Sequence, residues 1–274
     1  MFTGYLTAIR NKSPLVHNIT NYVTVNDCAN ILLAIGASPI MADDKNEAAE
    51  ITSISNALVI NIGTLNERTI ESMILAGRKA NELNIPVILD PVGAGASKFR
   101  TETAYRLLET IKFCVIRGNL SEIKALNSGS CSTKGVDASN NDQINESTLE
   151  SIIEFAKSFS KKVDCIAAIT GAMDIISNGV ENYTIYNGNS HMSKITGTGC
   201  MLTSLIGGFC GANPEKLMDA TVNAVCAMGI CGEQALEKMI AENSGTASLK
   251  VHLIDCISKL NEDQLKAGAK IEFQ

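Results

Sequence analysis

The chain has 274 residues, 45% of them apolar and 19% charged, with a net charge of -6 at neutral pH. That length is ample for a buried core, in one large α/β domain or two small ones, and the composition excludes a disordered chain. The acidic balance excludes a broad nucleic-acid or anionic-membrane surface, so any phosphate chemistry has to be local.

Apolar periodicity and turn signals predict a short helix over 2–12, a first strand from Pro14 to Ile19, and an apolar helix over 22–36 closed at Gly36. The strand runs into the polar cluster His17-Asn18-Ile19-Thr20-Asn21. Pro39-Ile40-Met41 is short enough to be a strand tip, and 46–56 reads as a helix. Ala57 to Gly63 is a strand with a glycine at its carboxyl end, followed by a helix over 66–84. Ile85-Pro86-Val87-Ile88-Leu89-Asp90 is a near-continuous apolar run, as in a parallel strand covered on both faces. It ends in Asp90-Pro91-Val92-Gly93-Ala94-Gly95.

A helix over 99–112 and a strand from Phe113 to Ile116 lead into Arg117-Gly118-Asn119-Leu120-Ser121-Glu122. The stretch 128–146, rich in Ser, Asn and Asp, reads as a surface insertion. A helix over 147–161 precedes a strand over 165–171, and 174–178 with 180–187 form a hairpin through Asn178-Gly179. From Cys200 the pattern is helical almost throughout, broken at Asn213-Pro214 and Gly245-Thr246, with 270–273 as a closing edge strand. The alternation predicts a three-layer α/β fold with a mostly parallel central sheet. No repeat or linker divides it, so 1–274 is expected to be one domain.

In open parallel sheets the ligand crevice lies outside the carboxyl ends of the strands. Four predicted ends carry polar residues: Asn18–Asn21, Asp90–Gly95, Arg117–Glu122 and Thr170-Gly171. A further stretch, Thr196-Gly197-Thr198-Gly199-Cys200, runs into an apolar helix. There the unpaired N–H groups and the positive end of the helix dipole favour an anion. Taken alone, Gly-Thr-Gly is equally a tight turn that lets helix and sheet pack closely. Leu202 stands where a dinucleotide fingerprint needs its third glycine, and no P-loop occurs.

Asp90-Pro91 with two glycines can be only a turn, and Asn119 with Glu122 only a capping box. Together, Asp90 and Glu122 set two hard oxygen acceptors on neighbouring strand ends, a pair suited to Mg²⁺ with waters and phosphates. Nine scattered cysteines without C-x-x-C spacing and three distant histidines give no zinc or disulfide pattern and point to a reducing cytoplasm. No apolar run approaches the ~20 residues of a membrane span, and the first residues lack a secretory pattern.

The ordered set His17-Asn18-Ile19-Thr20-Asn21, Asp90 to Gly95, Arg117 to Glu122, Thr170-Gly171 and Gly197-Thr198-Gly199-Cys200 resembles hydroxyethylthiazole kinase, a thiamine-salvage family of the ribokinase-like superfamily. The resemblance covers essentially the whole chain. It implies a ribokinase-like fold and phosphorylation of the alcohol of 4-methyl-5-(2-hydroxyethyl)thiazole by ATP with Mg²⁺. It further implies that Arg117 and Thr170 bind ATP, that Asp90 and Glu122 serve the metal and triphosphate, and that Met41 and Gly197 contact the thiazole alcohol. Asn21 and Val23 would lie in the stretch forming the thiazole pocket. The family is trimeric, with pockets completed across subunit interfaces. On pattern alone, Met41 is more readily core filler, since methionine adapts to irregular gaps.

The backbone donors of Gly197, Thr198 and Gly199 suit phosphoryl transfer, which needs positioning and charge stabilisation more than covalent chemistry. Many ribokinase-like kinases carry an aspartate base where this chain has Cys200, so Cys200 is either a replaceable base or an ordinary helix residue. Other readings within the same fold are a hydroxymethylpyrimidine kinase or an ATP-dependent NAD(P)H-hydrate dehydratase. Outside catalysis, the alternative is an inactive nucleotide-binding protein.

Overall fold

The computed structural model describes residues 2–128 and 144–274. Most of the predicted insertion at 128–146 therefore lies outside the described residues. In chain order the elements are α1 (Tyr5–Lys12), β1 (Leu15–Ile19), α2 (Val25–Ile35), β2 (Ser38–Ile40), α3 (Ala48–Ser53), β3 (Ala57–Asn61) and α4 (Glu67–Glu82). Next come β4 (Val87–Asp90), α5 (Lys98–Thr110), β5 (Val115–Asn119), α6 (Leu120–Ser128), α7 (Leu149–Val163), β6 (Ile166–Thr170), β7 (Asp174–Ser177) and β8 (Asn182–Ile185). The chain closes with α8 (Thr198–Ala212), α9 (Leu217–Ala241), α10 (Thr246–Lys259), α11 (Glu262–Gly268) and β9 (Ile271–Phe273).

The strands form one sheet in the order β2-β1-β3-β4-β5-β6-β7-β8-β9. The first six are parallel, while β7, β8 and β9 add an antiparallel flank. Alternation along each strand divides the core. Val16, Val59, Ile88, Val115 and Ile166 face the layer containing α2, α8 and α9. Ile19, Leu58, Ile60, Leu89 and Ile116 face the layer containing α4, α5 and α7. Both faces are covered, which is why the parallel strands read as apolar runs rather than as apolar-polar alternation.

Side-chain caps set several helix starts. Asn66 accepts from Thr69 N at 3.1 Å at the head of α4, and Ser97 accepts from Arg100 N at 3.2 Å at the head of α5. One boundary differs usefully from the sequence reading. The strand predicted to stop at Ile116 continues to Asn119, so Arg117 projects from β5 itself and α6 follows at once.

Helix α8 lies across β1, β3 and β4, and small residues make that approach possible. A Cβ on Gly207 would stand 2.7 Å from Val59 Cγ2 and 3.1 Å from Val16 Cγ1. The close seating fixes where the helix N-terminus falls relative to the strand ends. Replacing Gly207→Leu should overpack this contact, costing about 3 kcal/mol and lowering Tm by roughly 5–10 °C in a thermal melt. An unchanged Tm would show that α8 does not sit this near the sheet.

Candidate active site

Parallel pairing brings the carboxyl ends of β1, β3, β4, β5 and β6 to one rim. Asn61 is opposite Asp90 across β3 and β4, and Asn119 is opposite Thr170 across β5 and β6. Helix α8 meets the same rim at its N-terminus.

Asp90 is fully buried. Its Oδ2 accepts from Asn61 Nδ2 at 2.9 Å and from Thr203 Oγ1 at 2.7 Å, and Arg117 Nη1 stands 3.7 Å away. Its Oδ1 is buried with no hydrogen-bond partner among the described residues. Burial pushes the Asp90 carboxyl above the usual carboxylate range, against the pull of Arg117 and the Thr203 and Asn61 donors.

Glu122 is held on both oxygens by backbone. Oε1 accepts from Gly93 N and Oε2 from Asn119 N, each at 2.8 Å, while Glu122 N donates to Asn119 Oδ1 at 2.9 Å. The Asn119–Glu122 pair is therefore a capping box at the head of α6, and the carboxylate also ties the Gly93 turn after β4 to the end of β5. Burial, then the charge of Asp90, pushes the Glu122 carboxyl up to about 7, despite the two N–H donors and Arg117. Among the described residues no group of three or more His, Cys, Asp or Glu side chains is placed to hold a metal. A two-carboxylate rim suits a cation that keeps waters and ligand oxygens in its shell.

Arg117 donates from Nη2 to Thr170 Oγ1 at 2.7 Å, and its Nε is buried without a partner among the described residues. Its guanidinium lies against the α8 backbone, since a Cβ on Gly199 would fall 2.5 Å from Nη1 and 2.9 Å from Nη2. Gly199 is thus glycine for space. Gly197 caps α8 in the left-handed region, at φ +91°, with Thr24 Cγ2 2.8 Å from where a Cβ would be. The first bond of the helical ladder runs from Met201 N to Gly197 O. The amides of Thr198, Gly199 and Cys200 therefore precede that ladder, at the positive end of the helix dipole.

The Cys200 thiol accepts from Asn21 Nδ2 and Asn61 Nδ2, both at 3.3 Å. Burial, then the Asp90 charge, pushes this thiol up, and hydrogen bonds from Thr24, Asn21 and Asn61 pull it down without overcoming them. At neutral pH Cys200 is a thiol, and the lowering that a helix N-terminus can produce does not prevail.

The remaining sequence candidates lie toward the β2 edge. Met41 follows β2 and is half-buried. Beside it, His17 Nε2 bonds Ala42 O at 2.8 Å, and His17 Nδ1 meets Thr52 Oγ1 at 2.9 Å. Burial pushes the His17 imidazole down, so it is neutral and anchors the turn that carries Met41. Asn21 is buried and its amide is engaged within the protein: Nδ2 reaches Asn61 Oδ1 as well as Cys200, and Oδ1 accepts from Thr24 N and Thr24 Oγ1. Val23 is 57% exposed, next to Tyr22 at 78%.

Three residues of the rim were absent from the sequence reading. Asn61 ends β3 as Asp90 ends β4, so a polar residue closing a buried strand was its signal. Thr203 lies four residues after Gly199 on an apolar helix, where its hydroxyl could have been read as facing the loop. Asp174, on β7, accepts from Gly171 N at 2.9 Å and is pushed up to about 7 by burial, against the Gly171 donor and Arg117. Only the antiparallel return of β7 along β6 brings it to the rim, and no short motif announces that.

Comparison with known proteins gives the family and the fold. The profile of the hydroxyethylthiazole kinase family (HK) matches residues 6–263. Hydroxyethylthiazole kinase of Clostridium acetobutylicum is 57% identical over 272 residues, covering 99% of each chain. The solved structure of the hydroxyethylthiazole kinase protein from Pyrococcus horikoshii superposes with a TM-score of 0.88 at 37% identity, covering 100% of this chain and 98% of that one. A ribokinase-like superfamily protein from Enterococcus faecalis, 13% identical with a TM-score of 0.60 over 94% of this chain and 89% of that one, shares the fold.

The Glu122 carboxyl carries a pH signature. Its folded pKa lies above its unfolded value, so the folded state binds the extra proton and stability falls as pH rises from about 4.5 to about 7. Urea titrations should show the parent losing on the order of 3 kcal/mol relative to Glu122→Gln across that window. A difference that stays flat with pH would contradict a titration near neutrality.

Proposed function

The chain belongs to the hydroxyethylthiazole kinase family, and from that premise we propose how its rim phosphorylates the hydroxyl of 4-methyl-5-(2-hydroxyethyl)thiazole in thiamine salvage. ATP is the phosphoryl donor, as in kinases generally. The observation that carries the assignment is the meeting of three amides at the head of α8 with Arg117 and the unpartnered Oδ1 of Asp90 at one rim.

Charge decides what else the site needs. Asp90, Glu122 and Asp174 bring three carboxyl groups toward the guanidinium of Arg117, and a triphosphate brings several more negative charges. A cation is required to bring them together. Asp90 Oδ1 fits it as the buried oxygen with no partner, and Glu122 adds the second carboxylate behind it. Mg²⁺, when bound there, neutralises charge developing on the phosphate oxygens.

The protein supplies the rest. Arg117 and Thr170 hold the phosphates of ATP from the β5 and β6 side, and the unpartnered Nε of Arg117 leaves a donor for them. The amides of Thr198, Gly199 and Cys200 receive the moving phosphoryl group in fixed positions, so no reorganisation is needed during transfer. Gly197, Met41 and Val23, beside the buried Asn21, form the wall for the thiazole and point its alcohol at that group. In a loose transition state the alcohol proton leaves late and passes to an oxygen of the transferred phosphoryl group, so transfer does not require Cys200, which already holds its own proton, to be ionised beforehand.

Cytoplasmic location is supported by the eight free cysteines among the described residues, and no described helix is long and apolar enough to cross a membrane. A homotrimer with sites at the subunit interfaces is supported by the exposed Tyr22 and Val23 beside the rim. It should sediment at three times the 29.1 kDa chain mass, whereas a monomer at working concentration would contradict it.

ADP release measured with hydroxyethylthiazole, hydroxymethylpyrimidine and hydrated NADH, with and without Mg²⁺, should be strong only with the thiazole and the metal together. Thiazole-independent release, or none, would contradict the assignment. Because positioning outweighs proton removal here, Cys200→Asp should preserve or raise kcat. A loss on the order of 10³-fold in a folded variant, about 4 kcal/mol of barrier, would make the thiol indispensable instead.

A further inference from the structure

Asn61 stands at the centre of the rim, and the mechanism above gives it no role. It is buried at the end of β3, and its carboxamide is used on every side. Nδ2 donates to Asp90 Oδ2 at 2.9 Å and to Cys200 Sγ at 3.3 Å. Oδ1 accepts from Asn21 Nδ2 at 3.0 Å and from Gly63 N at 2.9 Å. The orientation is forced: a flipped amide would set its oxygen against the Asp90 carboxylate and its NH₂ against two donors.

Asn21 repeats the pattern from the β1 side. Its second N–H reaches the same sulfur at 3.3 Å, and its own oxygen is fixed by Thr24. Two amides of fixed orientation thus point N–H groups at Cys200 Sγ, so the sulfur accepts from both and its own hydrogen is directed away from them. Gly63 keeps this arrangement tight, since a Cβ there would stand 2.9 Å from the Asn21 side chain.

We propose that Asn61 is a positioning residue for phosphoryl transfer, holding the Cys200 thiol in fixed relation to the Asp90 carboxylate by donating one carboxamide N–H to each. The inference rests on the kinase reading above and deepens it. Asp90 belongs to the cation and phosphate side of the reaction and Cys200 to the alcohol side. A single planar group between them sets donor and acceptor in line, where small displacements are costly. Thr203, which also holds Asp90 Oδ2 from α8, secures the same carboxylate but does not reach the sulfur.

The test is a double-substitution cycle with Asn61→Ala and Asn61→Ser, each made with Cys200 present and with Cys200→Ala. Asn61→Ser keeps a small polar group at the strand end without the carboxamide N–H and without a charge beside Asp90, and so serves if the alanine variant does not fold. With Cys200 present, kcat should fall roughly 10- to 100-fold while KM for the thiazole changes by less than about threefold. In the Cys200→Ala background the fall should be at least about fivefold smaller, because the two residues act as one unit.

A second reading needs no ligand: the pH profile of Cys200 alkylation by iodoacetamide, followed on its own peptide by mass spectrometry. Losing the N–H donor removes support for the thiolate, so the midpoint should move up by about half a unit or more in either variant. Equal losses in both backgrounds, or an unmoved alkylation midpoint, would overturn the proposal. If the unsubstituted chain shows no thiazole-dependent turnover, the kinase reading falls, while the alkylation profile still reports separately whether Asn61 holds the thiol.

Discussion

The rim depends on one buried carboxylate. Asp90 ends β4 without solvent, and everything that makes its burial tolerable comes from a different element: Asn61 from β3, Arg117 from β5, Thr203 from α8. A buried charge without such partners would neutralise or destabilise the fold. Satisfying one oxygen of Asp90 therefore fixes two strand ends and a helix relative to one another. The other oxygen is left without a partner among the described residues, and it is the oxygen to which the proposal above assigns the cation.

Two glycines shape the head of α8 beside this carboxylate. Gly199 lets the Arg117 guanidinium lie directly on the first turn of α8, and Gly197 supplies the left-handed turn that aims the first amides at the rim. The same group thus faces Asp90, Thr170 and the helix head at once. Acidic overall composition is no obstacle to handling a triphosphate when the positive groups are this local and partly carried by backbone. Cys200, one residue on, belongs to both parts: its amide lies at the helix head, and its thiol is pushed up by burial and then by the charge of Asp90.

Much of this was legible in the sequence because parallel strands covered on both faces carry their own signature. The run 85–90 announced β4 and placed Asp90 at its end, and Asn119 with Glu122 announced the capping box. The end of β5 was not legible, since Arg117-Gly118-Asn119 looks like a loop until pairing with β6 makes it strand. For Glu122 the hydrogen bonds show the capping-box reading, and its carboxylate also lies within the electrostatic reach of Asp90, while its metal role stays with the proposal. Asn61 was hidden because a lone asparagine in an apolar run carries no motif. Its importance comes from contacts to residues 29 and 139 positions away, which only the fold supplies.

The central claim is that the head of α8 receives the phosphoryl group opposite the Asp90 carboxylate. The most direct measurement is a crystal structure of the chain with a hydrolysis-resistant ATP analogue, Mg²⁺ and the thiazole alcohol. The account predicts the terminal phosphate on the amides of Thr198, Gly199 and Cys200, with Arg117 on the phosphates and the cation on Asp90. A triphosphate seated away from the N-terminus of α8, or a cation that leaves Asp90 Oδ1 unpartnered, would contradict it.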